Sequence, residues 1–293
     1  MTRAGIVTVV GKPNAGKSTF LNRVIGQKLS IVSPKPQSTR DRIVGIHTDS
    51  ETQMVIFDTP GLMNPRYALQ RAMRNAAIEA LDDADLVLYL ADAADGPMPT
   101  LDVAAKLERT PRAPIIPVYN KSDLIAAGQR AHLAESTPEA QFISSVTGDG
   151  VLELLQTTAA RLPESPFLYA EDDISTQTMR FFAAELVREC ALEQLDEEIP
   201  YSVACEIEEY RESQSPVYIR AVIFVERESQ KGILIGAKGA RIKEIGKAAR
   251  AKIETLVGSA VYLDLHVKVL ANWRKNVGAL RRFGYRIPEE RSR

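Results

Sequence analysis

The chain has 293 residues, 45% hydrophobic and 26% charged, and its 37 Lys and Arg nearly balance its 38 Asp and Glu. This composition supports packed cores, excludes global disorder, and at this length predicts about two domains. It contains no run of the ~18–20 apolar residues that span a bilayer, and its two cysteines and three histidines make neither a disulfide framework nor a four-ligand zinc site.

In the first part, apolar β-like runs at residues 6–10, 54–57, 86–90 and 115–119, with a shorter one at 142–143, alternate with helix-like stretches at 18–25, 68–81, 100–109 and 151–162. Buried runs alternating with helices predict an α/β domain with a mostly parallel, doubly wound sheet. The N-terminus leads straight into the first of these runs and shows no secretory layout. Cys190 and Cys205 are therefore expected as reduced thiols in a cytoplasmic protein. Leu162-Pro163-Glu164-Ser165-Pro166 ends the last helix. The expected division is a first domain at 1–165, a linker at 166–176 and a smaller α+β domain at 177–293.

The second part changes pattern. Residues 176–194 read as a helix, with Met179, Phe182, Leu186 and Cys190 on one face. Residues 201–210 and 217–225 alternate as strands, and a helical turn is expected at 230–235. Gly236-Ala237-Lys238-Gly239 precedes a helix at 240–256, whose Ile242, Ile245, Ala249, Ile253 and Leu256 form one apolar face. Residues 261–269 alternate again, and a last helix is expected near 273–282. Charge is segregated here. Residues 171–226 carry 4 basic and 14 acidic side chains, whereas residues 227–293 carry 16 basic and 6 acidic ones. A local positive field of that kind attracts phosphate even when the whole chain is near neutral.

Gly11-Lys12-Pro13-Asn14-Ala15-Gly16-Lys17-Ser18 fits the phosphate-loop pattern, with a strand before it and a helix after it. Its glycines let backbone N–H groups face phosphates, and the following helix adds its positive end. Lys17 is placed to reach the β- and γ-phosphates, and the Ser18 hydroxyl to ligate Mg²⁺. Asp58-Thr59-Pro60-Gly61 follows another strand, so Asp58 can hold the metal through water and Gly61 can offer its N–H to a γ-phosphate. Asn120-Lys121-Ser122-Asp123 follows a third. A carboxylate at Asp123 can accept from guanine N1–H and the 2-amino group, donors that adenine lacks on that edge. Asn120 would brace the loop, the Lys121 stem would cover the base, and backbone N–H groups at Ser144 and Ser145 would meet guanine O6.

This ordered set resembles the translation-factor-type GTPases. Asn14 in the phosphate loop and Gln37-Ser38-Thr39-Arg40 narrow the resemblance to the Era-like branch. The resemblance implies Mg²⁺-dependent hydrolysis of GTP, with Lys17, Thr39, Asp58 and Gly61 as the catalytic set. It implies a metal held by Ser18, Thr39 and Asp58, and a nucleotide site that also takes in Thr19 and Leu62. Asn14 matches an asparagine that holds potassium in some relatives. Ser145 stands where the family usually has alanine. Leu62 stands where Ras-like GTPases carry the glutamine that orients water, and leucine cannot do that. Slow intrinsic turnover is the consequence.

The element order of the second part, with Gly236-Ala237-Lys238-Gly239 between two helices, resembles a type II KH domain. Such a loop clamps about four nucleotides of single strand. Arg241, Lys243 and Lys247 join Lys238 as the expected RNA-binding cations. By resemblance the partners are the 3′ end of small-subunit ribosomal RNA and the maturing small ribosomal subunit, bound by a monomer. Peripheral contact with the inner face of the cell membrane is also implied, with only basic residues such as Arg281, Arg282 and Arg286 to carry it. Trp273 could stack on a base or pack under the last helix. A nucleotide-sensing RNA-binding module with negligible hydrolysis is the competing reading. A P-loop kinase is disfavoured by the guanine clamp.

Overall fold

In the computed structural model, described for residues 1–107, 109–195 and 199–287, the phosphate-loop sequence lies at the end of a fully paired central strand. In chain order the elements are β1 (Arg3–Val10), α1 (Lys17–Ile25), β2 (Ile43–Thr48), β3 (Thr52–Asp58), α2 (Ala68–Asp82), β4 (Leu86–Asp92), α3 (Leu101–Ala105), β5 (Ile115–Asn120), α4 (Ala127–Ser136), β6 (Gln141–Phe142) and α5 (Val151–Arg161). The sheet order is β2-β3-β1-β4-β5-β6, and only the β2–β3 pair is antiparallel. The parallel strands are buried almost throughout, which is why they read as continuous apolar runs. The candidate loops Gly11–Ser18, Asp58–Gly61, Asn120–Asp123 and 144–145 leave the C-terminal ends of β1, β3, β5 and β6, while Thr39 lies on the segment between α1 and β2.

Two compact units divide the chain. The first takes Met1–Ser30, Thr39–Arg66 and Gln70–Thr176; the second takes Ile31–Ser38, Tyr67–Leu69 and Gln177–Arg293. The stretch 166–176 is tied to the first unit: Gln53 Oε1 accepts from the Leu168 and Tyr169 N–H groups, and Ser175 donates to the Val44 carbonyl.

The second unit runs α6 (Met179–Gln194), α7 (Ile199–Ser202), β7 (Ala204–Arg211), β8 (Val217–Val225), α8 (Glu228–Ile235), α9 (Ala240–Val257), β9 (Val261–Val269) and α10 (Val277–Arg282). Its three strands lie in the order β7-β8-β9, with β7–β8 antiparallel and β8–β9 parallel. One face of this sheet packs on α6 and α9, where Cys190, Ile219, Ile223, Ile245, Ala249 and Ile253 are fully buried. Lys35, in the segment Ile31–Ser38 of the same unit, donates to the Leu192 carbonyl at 2.6 Å, and Arg188 donates to the Ser38 carbonyl at 2.6 Å.

Three expectations change, and the choice left open for Trp273 is decided. The helix expected at 100–109 ends at Ala105, because Lys106 turns left-handed (φ 48°) and Arg74 takes the Ala105 and Lys106 carbonyls; Glu108 lies outside the described residues. The last helix is split, since Asn276 caps α10 through its side chain after a tight turn at Trp273–Lys275. Met179 opens α6 and is 45% exposed, so it leaves the apolar face. Trp273 is fully buried, donates to the Ser202 carbonyl and meets Phe283 edge-on, so it packs rather than stacks on a base. Both cysteines are free, and burial pushes the Cys190 thiol up to about 11.

Candidate functional site

Three oxygens converge where the metal is expected. Ser18 Oγ lies 2.8 Å from Thr39 Oγ1 and 2.7 Å from Asp58 Oδ2, with Thr39 Oγ1 at 3.5 Å from the same carboxylate oxygen. Asp58 is fully buried, and its Oδ1 has no hydrogen-bond partner among the described residues. Burial raises its pKa against the opposing charge of Lys17 and the hydroxyls of Ser18 and Thr39. A buried carboxylate with an orphaned oxygen beside two hydroxyls is a hard-oxygen set that fits Mg²⁺. Lys17 is 5% exposed, and its Nζ donates to the Gly11 and Lys12 carbonyls at 3.2 and 2.9 Å. Burial pushes it down to about 8, opposed by Asp58. A charge is thus held out of water, opposed by the Asp58 carboxylate, with two carbonyls as its hydrogen-bond partners among the described residues.

The loops fit one another closely. Gly16 has φ 91°, and a Cβ there would lie 2.1 Å from Asn120 Nδ2. Asn120 is buried; it donates to the Ala15 carbonyl and accepts from both the N–H and the hydroxyl of Ser145. The Ser145 hydroxyl therefore has a structural partner 2.9 Å away. Lys121 pairs with Asp92 at 2.6 Å, which fixes its stem. Asp123 is exposed, and no hydrogen bond or ion pair engages its carboxylate among the described residues.

Several expected residues serve the loops from behind. Thr59 is fully buried and donates to the Val9 carbonyl, joining the ends of β1 and β3. Leu62 is 5% exposed and packs with Val10, Ala77, Leu81 and Tyr89, while its N–H donates to the Gly11 carbonyl. Its side chain is core. The Gly61 N–H has no partner among the described residues. The N–H groups of Ser144 and Ser145 donate to the Asp149 carbonyl and to Asn120 Oδ1. The next N–H along, at Val146, has no partner among the described residues. Sequence reading passed over Val146 because its contribution is backbone. It also passed over Arg23, whose guanidinium holds the Ser145 and Val146 carbonyls, and Asn22, whose side chain takes the Leu29 and Ser30 N–H groups.

In the second unit, Gly236 (φ 72°) and Gly239 (φ 78°) bracket Lys238, itself left-handed at φ 49°. A Cβ on Gly236 would sit 2.8 Å from Arg241 Cβ, so only glycine fits. Arg241 braces the turn by donating to the Ile233 carbonyl. Lys238, Lys243 and Lys247 are exposed and have no ion-pair partner among the described residues. Among the described residues the strand β9 pairs only with β8, and it packs against α8 and α9, the two helices that flank the Gly236–Gly239 turn.

These features define a P-loop nucleotide-binding fold carried with a KH-type module. Residues 6–121 match the family described as 50S ribosome-binding GTPase, and residues 198–274 match the KH domain family. GTPase Era of Thermotoga petrophila is 45% identical over 281 residues, 93% of this chain and 94% of that one. GTPase Era of Carboxydothermus hydrogenoformans is 42% identical over 97% of this chain and 98% of that one. A crystal structure of Era in complex with MgGDPNP and nucleotides 1506–1542 of 16S ribosomal RNA is 38% identical, covers 98% of this chain and 100% of that chain, and superposes with a TM-score of 0.91. An Aquifex aeolicus Era variant bound to GDP and AlF4⁻ gives 38% identity over the same shares and a TM-score of 0.92. The chain belongs to the GTPase Era family and hydrolyses GTP.

Proposed function

We propose that residues 1–165 bind and hydrolyse GTP through the loops above, and that residues 177–293, joined by 166–176, bind single-stranded RNA as a KH domain. The carrying observation is the cluster of Ser18, Thr39 and Asp58 beside buried Lys17. Ser18, Thr39 and Asp58 would hold magnesium there, and the ion would supply positive charge against the charge developing on the phosphates. Lys17 exchanges two carbonyl partners for phosphate oxygens, which restores the full charge that burial disfavours. Thr39 closes over the γ-phosphate, and the Gly61 N–H donates to it. Asp123 reads guanine and the Val146 N–H reaches O6. Water is oriented by a group other than Leu62, whose side chain is core, so free turnover is slow. Asn14 holds a potassium ion; replacing potassium by sodium at matched ionic strength then slows hydrolysis, and equal rates would return Asn14 to a loop-shaping role.

The RNA is proposed to be the 3′ end of small-subunit ribosomal RNA, in the course of small-subunit maturation. The support is the likeness over nearly the full chain to an Era bound to 16S ribosomal RNA nucleotides 1506–1542. The protein is read as a cytoplasmic monomer. Its contact with the inner face of the cell membrane is electrostatic and weak. Arg282 pairs with Glu206, and a single remaining cation such as Arg281 contributes about 1 kcal/mol near an anionic surface.

Base choice tests the nucleotide site. Asp123→Asn is expected to cost GTP about 2–4 kcal/mol and to raise xanthosine triphosphate affinity, because the amide can donate to a 2-oxo group. Unchanged GTP affinity in a competition titration would remove Asp123 from the base site.

A further inference from the structure

A cavity of about 790 Å³ lies in the first unit between the second half of α2 and the chain entering β5. It is remote from the nucleotide loops. Its walls include Ala84, just before β4, and Ala113, just before β5, so it sits where the parallel strands start. The Gly11–Ser18 loop follows the last residue of β1, which is level with Tyr89 and Pro117 at the other end of the sheet, about 15 Å away by strand rise.

The lining has two chemistries. Ile78, Leu81, Leu107 and Pro111 supply an aliphatic floor. Arg74, Lys106, Arg109 and Arg112 supply four cations, and Asp82 is the single carboxylate among the described lining residues. The side chains of Lys106 and Arg112 are exposed and form no ion pair or hydrogen bond among the described residues. Arg109 reaches Asp82 only at 3.4 Å, with both side chains more than half exposed, so that pair is weak. Arg74 is held in place by the Ala105 and Lys106 carbonyls at 2.8 and 3.0 Å. Those bonds also end α3 and hold Lys106 in a left-handed conformation that non-glycine residues seldom adopt. The rim of the groove is thus built and positively charged.

We propose that this groove is a docking site for an acidic, leucine-bearing segment of a protein partner. An excess of cations over an aliphatic floor complements a segment with carboxylates on one side and branched apolar side chains on the other. Nucleic acid is the poorer match. The described lining holds no aromatic ring on which a base could stack, and stacking is what usually secures single strands on a protein surface. The occupant would leave the GTP loops and the Gly236–Gly239 turn free, so it can be held at the same time as nucleotide and RNA.

The test uses the full chain loaded with GDP and a labelled short peptide of repeating Glu-Glu-Leu-Leu, read by fluorescence anisotropy. A peptide of repeating Lys-Lys-Leu-Leu and an oligouridylate serve as comparisons. Binding of the acidic peptide is expected to weaken at least about tenfold when Lys106→Glu and Arg112→Glu are combined, because two attractions become repulsions. Leu107→Ala, which leaves the charge intact, is expected to weaken it at least about threefold. GDP affinity should stay unchanged in both variants, which reports that the first unit is folded. Three results would overturn the proposal: no preference for the acidic over the basic peptide, equal binding by parent and double variant, or displacement of the peptide from the groove by oligouridylate. The last would assign the cations to nucleic acid.

Discussion

Lys17 is held with its charge buried, and the physics of that burial is measurable without any ligand. Its pKa is pushed down to about 8, so the folded chain releases this proton more readily than the unfolded chain does. The unfolded state binds more protons between about pH 8 and the ordinary lysine range, and stability therefore rises with pH across that window. Below it the penalty is fully present, at about 3 kcal/mol. Lys17→Met should remove GTP binding yet raise the melting temperature of the nucleotide-free protein at pH 7. A fall in melting temperature would mean that the lysine supports the core. Ser145 shows the opposite economy. Its hydroxyl donates to buried Asn120, so Ser145→Ala should lower stability by about 1 kcal/mol in a denaturant titration, with little effect on guanine preference.

At the level of elements, the α6–α9 contact rests on a buried charge. Glu189 is fully buried, and Lys252 on α9 reaches it at 2.9 Å while also pairing with Glu193 at 2.8 Å. Removing only the lysine takes the cation from a buried carboxylate, so Lys252→Met should destabilise the second unit by about 3 kcal/mol; adding Glu189→Gln should recover part of it in a thermal melt. Both residues lie on helices that sequence made legible, but their pairing did not follow from sequence, because it joins positions 63 residues apart. The same distinction runs through the fold. The bounds of β8 and β9 were readable to the residue, since β9 alternates over its nine positions and β8 passes from alternation into a continuous apolar run that ends at Val225. β2 was not read, because Gly45 interrupts its short apolar run and its order comes from antiparallel pairing with β3. α4 was missed as well: Leu133 is its only buried residue, so it has no apolar stripe to detect. In the nucleotide site, the motif residues carried their chemistry in their side chains. Val146 and Arg23 did not, one offering a backbone N–H and the other bracing carbonyls from a neighbouring helix.

Across the whole molecule, charge is sorted rather than merely balanced. Lys252, Lys268, Arg274 and Arg282 of the basic C-terminal block pair with Glu189 and Glu193, Glu208, Glu226 and Glu206 of the acidic block before it. Those pairs offset five carboxylates of the acidic block within the second unit. They leave Lys231, Lys238, Lys243 and Lys247 without ion-pair partners among the described residues, on α8, α9 and the turn between them. The positive field is thereby concentrated at the Gly236–Gly239 turn, and GTP chemistry is left to the other unit. The most direct test replaces Ala237 and Lys238 by aspartates while keeping both glycines. Affinity for single-stranded RNA of the small-subunit 3′ end is then titrated by anisotropy over a range of salt, with GTP affinity measured alongside. A true clamp should lose at least about tenfold in RNA affinity and show a shallower salt slope, since fewer phosphates are neutralised, while GTP affinity stays unchanged. RNA binding equal to that of the parent at every salt concentration would contradict the assignment of RNA to this turn.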